Sequence, residues 1–278
     1  MNITVAAVQI GPCVDSIDKN VDRGVDLIRR AASRGASLVA LPEMFNTTFF
    51  AVEALEHFDC FFEAIPGRTT DRLSEVAKEC GTAVIAGLSE KTLGGQYYNS
   101  VVLIDSQGEI VGTYRKTHLP LMVAPVERAT FERCYFSPGD LGLPVFEIEE
   151  TRIGVLICYD RHFPEAFRTL VARGAEIIVI PTGARTWNTS WRSGIWESLL
   201  RTRAYENGVF IVAPNRAGTE RGTTYLGDSM IVSPRGTVIS RAEPDSLNDV
   251  VLAECDTDEV VTVREVTPFR RDLRPEIY

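Results

Sequence analysis

Apolar and polar positions in this chain switch between two periods. Residues 3–10 form a short apolar run of the kind that makes a buried strand. Beyond Ser16 the spacing lengthens, with Ile17, Val21, Val25, Leu27, Ile28, Ala31 and Ala32 on one broad face up to Gly35. That predicts a helix with Ser16 as its N-cap. Residues 37–41 read as a buried strand, Thr69 and Thr70 precede a second helix stopped by Gly81, and residues 83–88 supply another strand. Residues 98–105 and 110–114 are two more strands separated by the turn Ser106-Gln107-Gly108. Residues 117–144, with Pro120, Pro125, Pro138 and several glycines, predict a long irregular segment, and long ordered loops tend to be functional.

Strands at 145–148 and 152–157 come next, then a helix at 164–173 ended by Gly174, a strand at 176–180, a helix around 195–205 and a strand at 209–213. Residues 229–232, 238–242 and 250–253 look antiparallel, with Ser233-Pro234-Arg235-Gly236 as a turn. Strand–helix–strand order with added hairpins predicts an α/β fold, two mixed sheets with helices outside. No linker, repeat or low-complexity stretch divides the chain, so residues 1–278 are expected to form one domain.

Composition narrows the partners. With 29 Lys and Arg against 38 Asp and Glu, a formal charge of −9 argues against nonspecific attraction to nucleic acid or an anionic membrane, leaving small molecules. The six cysteines lack close pairing in a chain too long to need a disulfide scaffold, which points to reduced thiols and a cytoplasmic protein. The amino terminus lacks a signal-peptide pattern, and there is no run of about 20 apolar residues to span a membrane.

Three strand ends repeat one design. Residues 38–41 lead to Pro42-Glu43, residues 110–114 to Arg115-Lys116, and residues 153–157 to Cys158 with a Pro-Glu helix start after it. Carboxyl ends of strands line the ligand crevice in α/β sheets, so a carboxylate, an ammonium and a thiol can converge there. A thiol at such an end can also feel the positive end of the following helix. The set suits acyl transfer: Cys158 as nucleophile, Glu43 as the base that takes its proton and later returns one to a leaving amine, and Lys116 with a backbone N–H as support for an oxyanion. Each residue alone has a plainer reading: a solvated turn acid, a surface charge and a core cysteine. His118 or His162 could pair with Cys158 in a papain-like dyad, but neither has an orienting Asn or Asp context. Cys134, Cys158 and His162 lack zinc-ligand spacing, phosphate-binding glycine motifs are absent, and nothing calls for a cofactor.

Leu41-Pro42-Glu43-Met44-Phe45, Tyr114-Arg115-Lys116-Thr117-His118-Leu119-Pro120 and the block from Ile157-Cys158-Tyr159-Asp160 through Arg161-His162-Phe163-Pro164-Glu165 resemble, in order, the three signature blocks of the nitrilase superfamily, the carbon-nitrogen hydrolases. That resemblance implies a four-layer αββα sandwich, a cofactor-free Glu43–Lys116–Cys158 triad, and a homodimer in which the 265–278 tail crosses the subunit boundary. Glu132, in Phe131-Glu132-Arg133-Cys134-Tyr135-Phe136, matches a fourth family position, a glutamate that orients the lysine. Residues 133–146, the Asp160-Arg161 pair and the closing residues 271–278 are similar to the N-carbamoyl amino acid amidohydrolases and β-ureidopropionases. Cys-Tyr-Asp, where nitrilases normally carry Cys-Trp-Glu, favours amide or ureido substrates over nitriles. The rival readings are a nitrilase and a non-catalytic binding member of the fold. Arg161 is either the partner of a substrate carboxylate or a structural residue bridged to an acid such as Glu165. Tyr159 and His162 beside it, and Arg185, Trp187 and Asn188 beyond the 176–180 strand, are further candidates to shape substrate choice.

Overall fold

The computed structural model describes residues 2–122, 129–186 and 194–277. Asn2–Ile10 lies inside the first sheet, parallel to Leu38–Ala40, which in turn is parallel to Ala83–Lys91. Tyr97–Ile104 and Ile110–Arg115 continue that side antiparallel. On the other side Asp249–Asp256 runs antiparallel along Asn2–Ile10, with Val5 opposite Ala253, while Gln9 and Ile10 pair with the start of Asn215–Glu220. The second sheet is built on parallel Thr151–Val155, Ile177–Val179 and Phe210–Ala213, flanked by antiparallel Val145–Ile148, Met230–Val232 and Val238–Arg241.

The period of two explains the layering. Along the first strand Val5 and Ala7 face a core shared with Ile153, Val155, Ile177 and Val179 of the second sheet. Their neighbours Ala6, Val8 and Ile10 pack instead on Val21, Val25 and Ile28 of helix Ile17–Ala32 and on Leu73 and Val76 of helix Arg68–Cys80. Helices Pro164–Ala172 and Ile195–Asn207 cover the far face of the second sheet through Phe167, Leu170, Leu200 and Ala204. The result is the four-layer αββα sandwich.

Three boundaries differ from expectation. Helix Arg68–Cys80 begins before Thr69 and Thr70, because Gly67 is its N-cap and the Gly67 N–H donates to Thr70 Oγ1 at 2.7 Å. The irregular segment after Lys116 contains a short pair, Leu121–Met122 with Thr130–Phe131, and a helical turn, Glu132–Tyr135. The polar hairpin Asn215–Glu220 with Thr223–Leu226 and the helix Thr257–Val266 add elements that hydrophobic patterning did not signal. Ser16 caps its helix as expected, accepting from the Lys19 N–H at 3.4 Å.

Candidate active site

Glu43 sits just past a strand that Leu41 prolongs, the Leu41 N–H donating to Ile85 O at 2.8 Å. The chain then turns sharply, with Met44 at φ 46° and the Phe45 N–H donating to Gly87 O at 3.1 Å. Gly87 is what permits the turn to lie against the sheet: a Cβ there would stand 2.8 Å from both Glu43 Cα and Pro42 O. Gly87→Ala is therefore expected to cost about 1–3 kcal/mol in urea unfolding. Because it would push the Glu43 backbone off its position, it should also slow turnover by about 10²-fold.

Lys116 comes directly after Ile110–Arg115, and its backbone is fastened on both sides, N–H to Asn99 O at 2.8 Å and O from the Gly139 N–H at 2.9 Å. Its neighbour Arg115 points the other way, donating to Glu90 and Asp140 at 2.8 Å each and stacking on Tyr98 at 4.0 Å. Glu132 opens a helical turn backed by an aromatic cluster in which Phe50 meets Tyr135 at 5.3 Å and Phe136 at 5.8 Å.

These elements bring three charges together in the interior. Lys116 Nζ donates to Glu43 Oε1 at 2.7 Å and to Glu132 Oε2 at 2.6 Å. Asn99 Nδ2 donates to the same Glu43 oxygen at 2.8 Å, and the Gly183 N–H donates to Oε2 at 3.0 Å. Burial alone would drive the Lys116 ammonium toward its neutral form, but the charges of Glu132 and Glu43 outweigh it and hold its pKa above the ordinary lysine range. Burial raises the Glu132 pKa above the usual carboxylate range, with Lys116 opposing the shift and Glu43 reinforcing it.

Cys158 opens a short 3₁₀ turn, Cys158–His162, between strand Thr151–Val155 and helix Pro164–Ala172. Its backbone takes φ 45°, a conformation that costs a non-glycine residue about 1 kcal/mol or more and that surrounding contacts must enforce. The Cys158 N–H donates to Pro181 O at 3.0 Å, which ties the turn to the neighbouring strand end. Asp160, fully buried, ties it to the Lys116 side: it accepts from the Ile157 N–H at 2.9 Å, Tyr114 Oη at 2.8 Å and the His118 N–H at 2.9 Å, and faces His118 Nδ1 at 2.7 Å. His118 also stacks on Phe163, ring centres 3.6 Å apart. Its Nδ1 thus serves Asp160, and the Cys158 thiol has Glu43, Lys116, Arg161 and Glu132 as charged neighbours.

Those neighbours set the state of the sulfur. Burial first, and the negative charge of Glu43 second, push the Cys158 thiol up to about 11, with Lys116 and Arg161 pulling the other way. The expected influence of a helix end is outweighed, since the 3₁₀ turn separates Cys158 from Pro164–Ala172.

A cavity of about 260 Å³ opens over the thiol, lined among others by Glu132, Cys158, Tyr159, Arg161, His162 and Arg185. Tyr159 lies against His162 and Phe163 at 5.4 and 5.5 Å. Arg161 is not bridged to Glu165: its Nη1 donates to Cys158 O at 2.7 Å. Arg185 donates to Ala129 O at 2.9 Å and Thr130 Oγ1 at 2.8 Å, which anchors the far wall. Trp187 and Asn188 lie outside the described residues.

The family model for carbon-nitrogen hydrolases matches residues 4–265. The chain belongs to that family. Among curated relatives it is 35% identical over 284 residues to a nitrilase of Pyrococcus abyssi, covering 99% of each chain. It is 36% identical over 290 residues to an N-carbamoylputrescine amidase of Oryza sativa, covering 99% of this chain and 93% of the relative. It is also 36% identical over 261 residues to the omega-amidase NIT2 of Xenopus tropicalis, covering 94% and 91%. A carbon-nitrogen hydrolase from Helicobacter pylori superposes with a TM-score of 0.91 at 28% identity, covering 100% of this chain and 97% of that one. A glutamate-to-glutamine mutant of the Nesterenkonia sp. AN1 amidase, with the acetamide moiety of fluoroacetamide added covalently at its active site cysteine, superposes with a TM-score of 0.75 at 25% identity, covering 98% and 97%.

Sequence reading missed three supports of this carbon-nitrogen hydrolase site. Asn99 holds Glu43, and its signal was a lone amide in the otherwise apolar stretch around Ser100-Val101-Val102. Asp160 entered only as part of a family-like pair, although a carboxylate three residues after the apolar run 153–157 already implied local partners. The Gly183 N–H contact depends on an approach between distant loops that no local pattern announces.

Proposed function

We propose that this carbon-nitrogen hydrolase cleaves a small linear amide or N-carbamoyl compound by way of a thioester on Cys158. The observation that carries the reading is the buried Glu43–Lys116–Glu132 chain beside the cavity that Cys158 lines. Glu43 takes the Sγ proton as sulfur attacks the carbonyl carbon, and the C=O π pair moves onto oxygen. With the thiol held up at about 11, proton transfer accompanies attack rather than preceding it. Two of the three Lys116 N–H groups are held by Glu43 and Glu132, so the third is available to the oxyanion, joined by the Tyr159 N–H at the start of the 3₁₀ turn. The C–N bond then breaks, nitrogen receives the proton from Glu43, and ammonia or an amine leaves. Water attacks the thioester as Glu43 takes its proton. The C–S bond breaks and sulfur regains a proton. For an N-carbamoyl substrate the amine leaves first, water releases the carbamoyl group from sulfur as carbamic acid, and that breaks down to carbon dioxide and ammonia.

The cavity of about 260 Å³ suits a small substrate. Tyr159, Arg161, His162 and Arg185 contact it on this reading. The test is ammonia release from N-carbamoyl amino acids, carbamoyl polyamines, simple amides and matched nitriles. Turnover of amides or ureides supports the reading. Acid formed from nitriles by an enzyme inert to amides would replace it with a nitrilase, a reading the 35% identity to the Pyrococcus abyssi protein keeps open. No turnover of any class would leave a binding platform.

We further propose a homodimer acting in the cytoplasm. Phe269 packs edge-on against Tyr205 of helix Ile195–Asn207, ring centres 5.6 Å apart, while Val261, Val266, Leu273 and Ile277 stay exposed at the carboxyl end, an apolar surface a second copy would cover. All six cysteines are free thiols, as a reducing compartment requires. Light scattering is expected to give twice the chain mass, and a monomer would refute the assembly.

A further inference from the structure

The Arg161 guanidinium is turned toward the nucleophile's own residue. Its Nη1 donates to Cys158 O at 2.7 Å and stands 3.4 Å from Cys158 Sγ. The group is held there from both sides: its carbon lies 5.4 Å from the ring of buried Trp196, whose Nε1 donates to Asp228 O at 2.9 Å, and the Arg161 carbonyl accepts from Arg203 Nε at 3.3 Å. Among the described residues no carboxylate forms an ion pair with Arg161. The sulfur faces Glu43, Lys116 and Glu132 from three other elements, and Arg185 across the cavity. Of the two cationic partners on the near side, Lys116 is bound between two carboxylates, whereas Arg161 donates to a carbonyl and the sulfur.

We propose that Arg161 is a catalytic residue that stabilises negative charge on Cys158 Sγ. This rests on the thioester mechanism above and adds a second cation to it. As Glu43 removes the thiol proton, and again when the C–S bond breaks and the pair returns to sulfur, Nη1 is already within hydrogen-bonding distance of that atom. The reason for a second cation is the adverse setting of the thiol, since burial and Glu43 both oppose a thiolate and Lys116 must also serve the oxyanion. A guanidinium suits the task because it stays charged and its planar fork can hold a carbonyl and the sulfur together.

The experiment is alkylation of Cys158 by iodoacetamide, read on the Cys158 peptide by mass spectrometry from about pH 7 to 10, for the wild type, Arg161→Gln and Arg161→Lys, with Cys158→Ala as the control for alkylation at exposed Cys60 and Cys134. Arg161→Gln is expected to move the alkaline rise of labelling upward by about one pH unit, which is about tenfold slower labelling at a fixed pH. Arg161→Lys, keeping the charge, is expected to restore most of that loss. The kcat of the Gln variant should fall with neutral amides as well as with carboxylated ones. The proposal is overturned if all three proteins share one labelling profile and the only change is a raised KM for carboxylated substrates, which would make Arg161 a substrate clamp. Should Arg161→Gln fail to fold, Arg161→Met, which also removes the charge, takes its place: a wild-type labelling profile and kcat on neutral amides with only a raised KM for carboxylated ones overturns the proposal. A labelling shift in a protein that hydrolyses no amide would uphold the role of Arg161 and overturn the function proposed above.

Discussion

Cys158→Ala is expected to abolish turnover, a loss on the order of 10⁵-fold or more in kcat, while leaving the fold in place. The loss is large because the proposed route has no second nucleophile: without sulfur, water must attack an unactivated amide or ureide directly. Stability should change little. The residue is half-buried, its backbone is held by the N–H to Pro181 O and the carbonyl to Arg161, and alanine leaves both contacts intact. Alanine also meets the same φ of 45° with the same L-residue cost. Urea unfolding should therefore shift by less than about 1 kcal/mol. Substrate should still bind, since the cavity walls formed by Tyr159, Arg161, His162 and Arg185 are untouched, so calorimetric titration of the variant would report binding without chemistry. Turnover within tenfold of the wild type would remove the thioester from the mechanism altogether.

The position of that sulfur was legible in the sequence while its chemical state was not. The apolar run from Ile153 to Ile157 reads as a buried strand, and the residue just beyond such a run in an α/β sheet lies at the crevice. The same reasoning located Glu43 and Lys116. The elevation of the thiol arises instead from burial and from a carboxylate that reaches it across the sheet, and neither is a local property. Polar strands were hidden for a related reason. Asn215 and Arg216 carry no apolar signal, yet both are buried with partners from other elements: Asn215 Nδ2 donates to Gly227 O at 2.6 Å and Arg216 Nη2 to Thr47 O at 2.7 Å. Helix Thr257–Val266 escaped because only Val260 and Val263 give it an apolar anchor, too few to set a period of 3.6. Helix Ile17–Ala32, with seven buried positions, was plain from its spacing. Hydrophobic periodicity thus revealed the layers, and the hydrogen-bonded supports of the site needed the fold.

Glu43→Gln is expected to separate the two things Glu43 does to the thiol. In the proposed mechanism it is the base that accepts the Sγ proton and returns it to nitrogen, and glutamine can do neither, so kcat should fall by about 10³- to 10⁴-fold. As a charge it opposes the thiolate, second only to burial, and glutamine removes that opposition. Direct alkylation of Cys158 by iodoacetamide near neutral pH is therefore expected to be at least as fast as in the wild type while hydrolysis collapses. The sign comes from linkage: deleting a negative neighbour lowers the thiol pKa, so the thiolate fraction rises at any pH below about 11. Stability is expected to drop as well. Lys116 Nζ, Asn99 Nδ2 and the Gly183 N–H all donate to Glu43, and a glutamine amide must turn its own N–H groups toward one of these donors. A mismatched buried donor costs about 1–3 kcal/mol, measurable by urea unfolding. Turnover and alkylation falling together by the same factor would mean that Glu43 only positions the turn, because a base and a mere strut differ in what happens to the sulfur when substrate is absent.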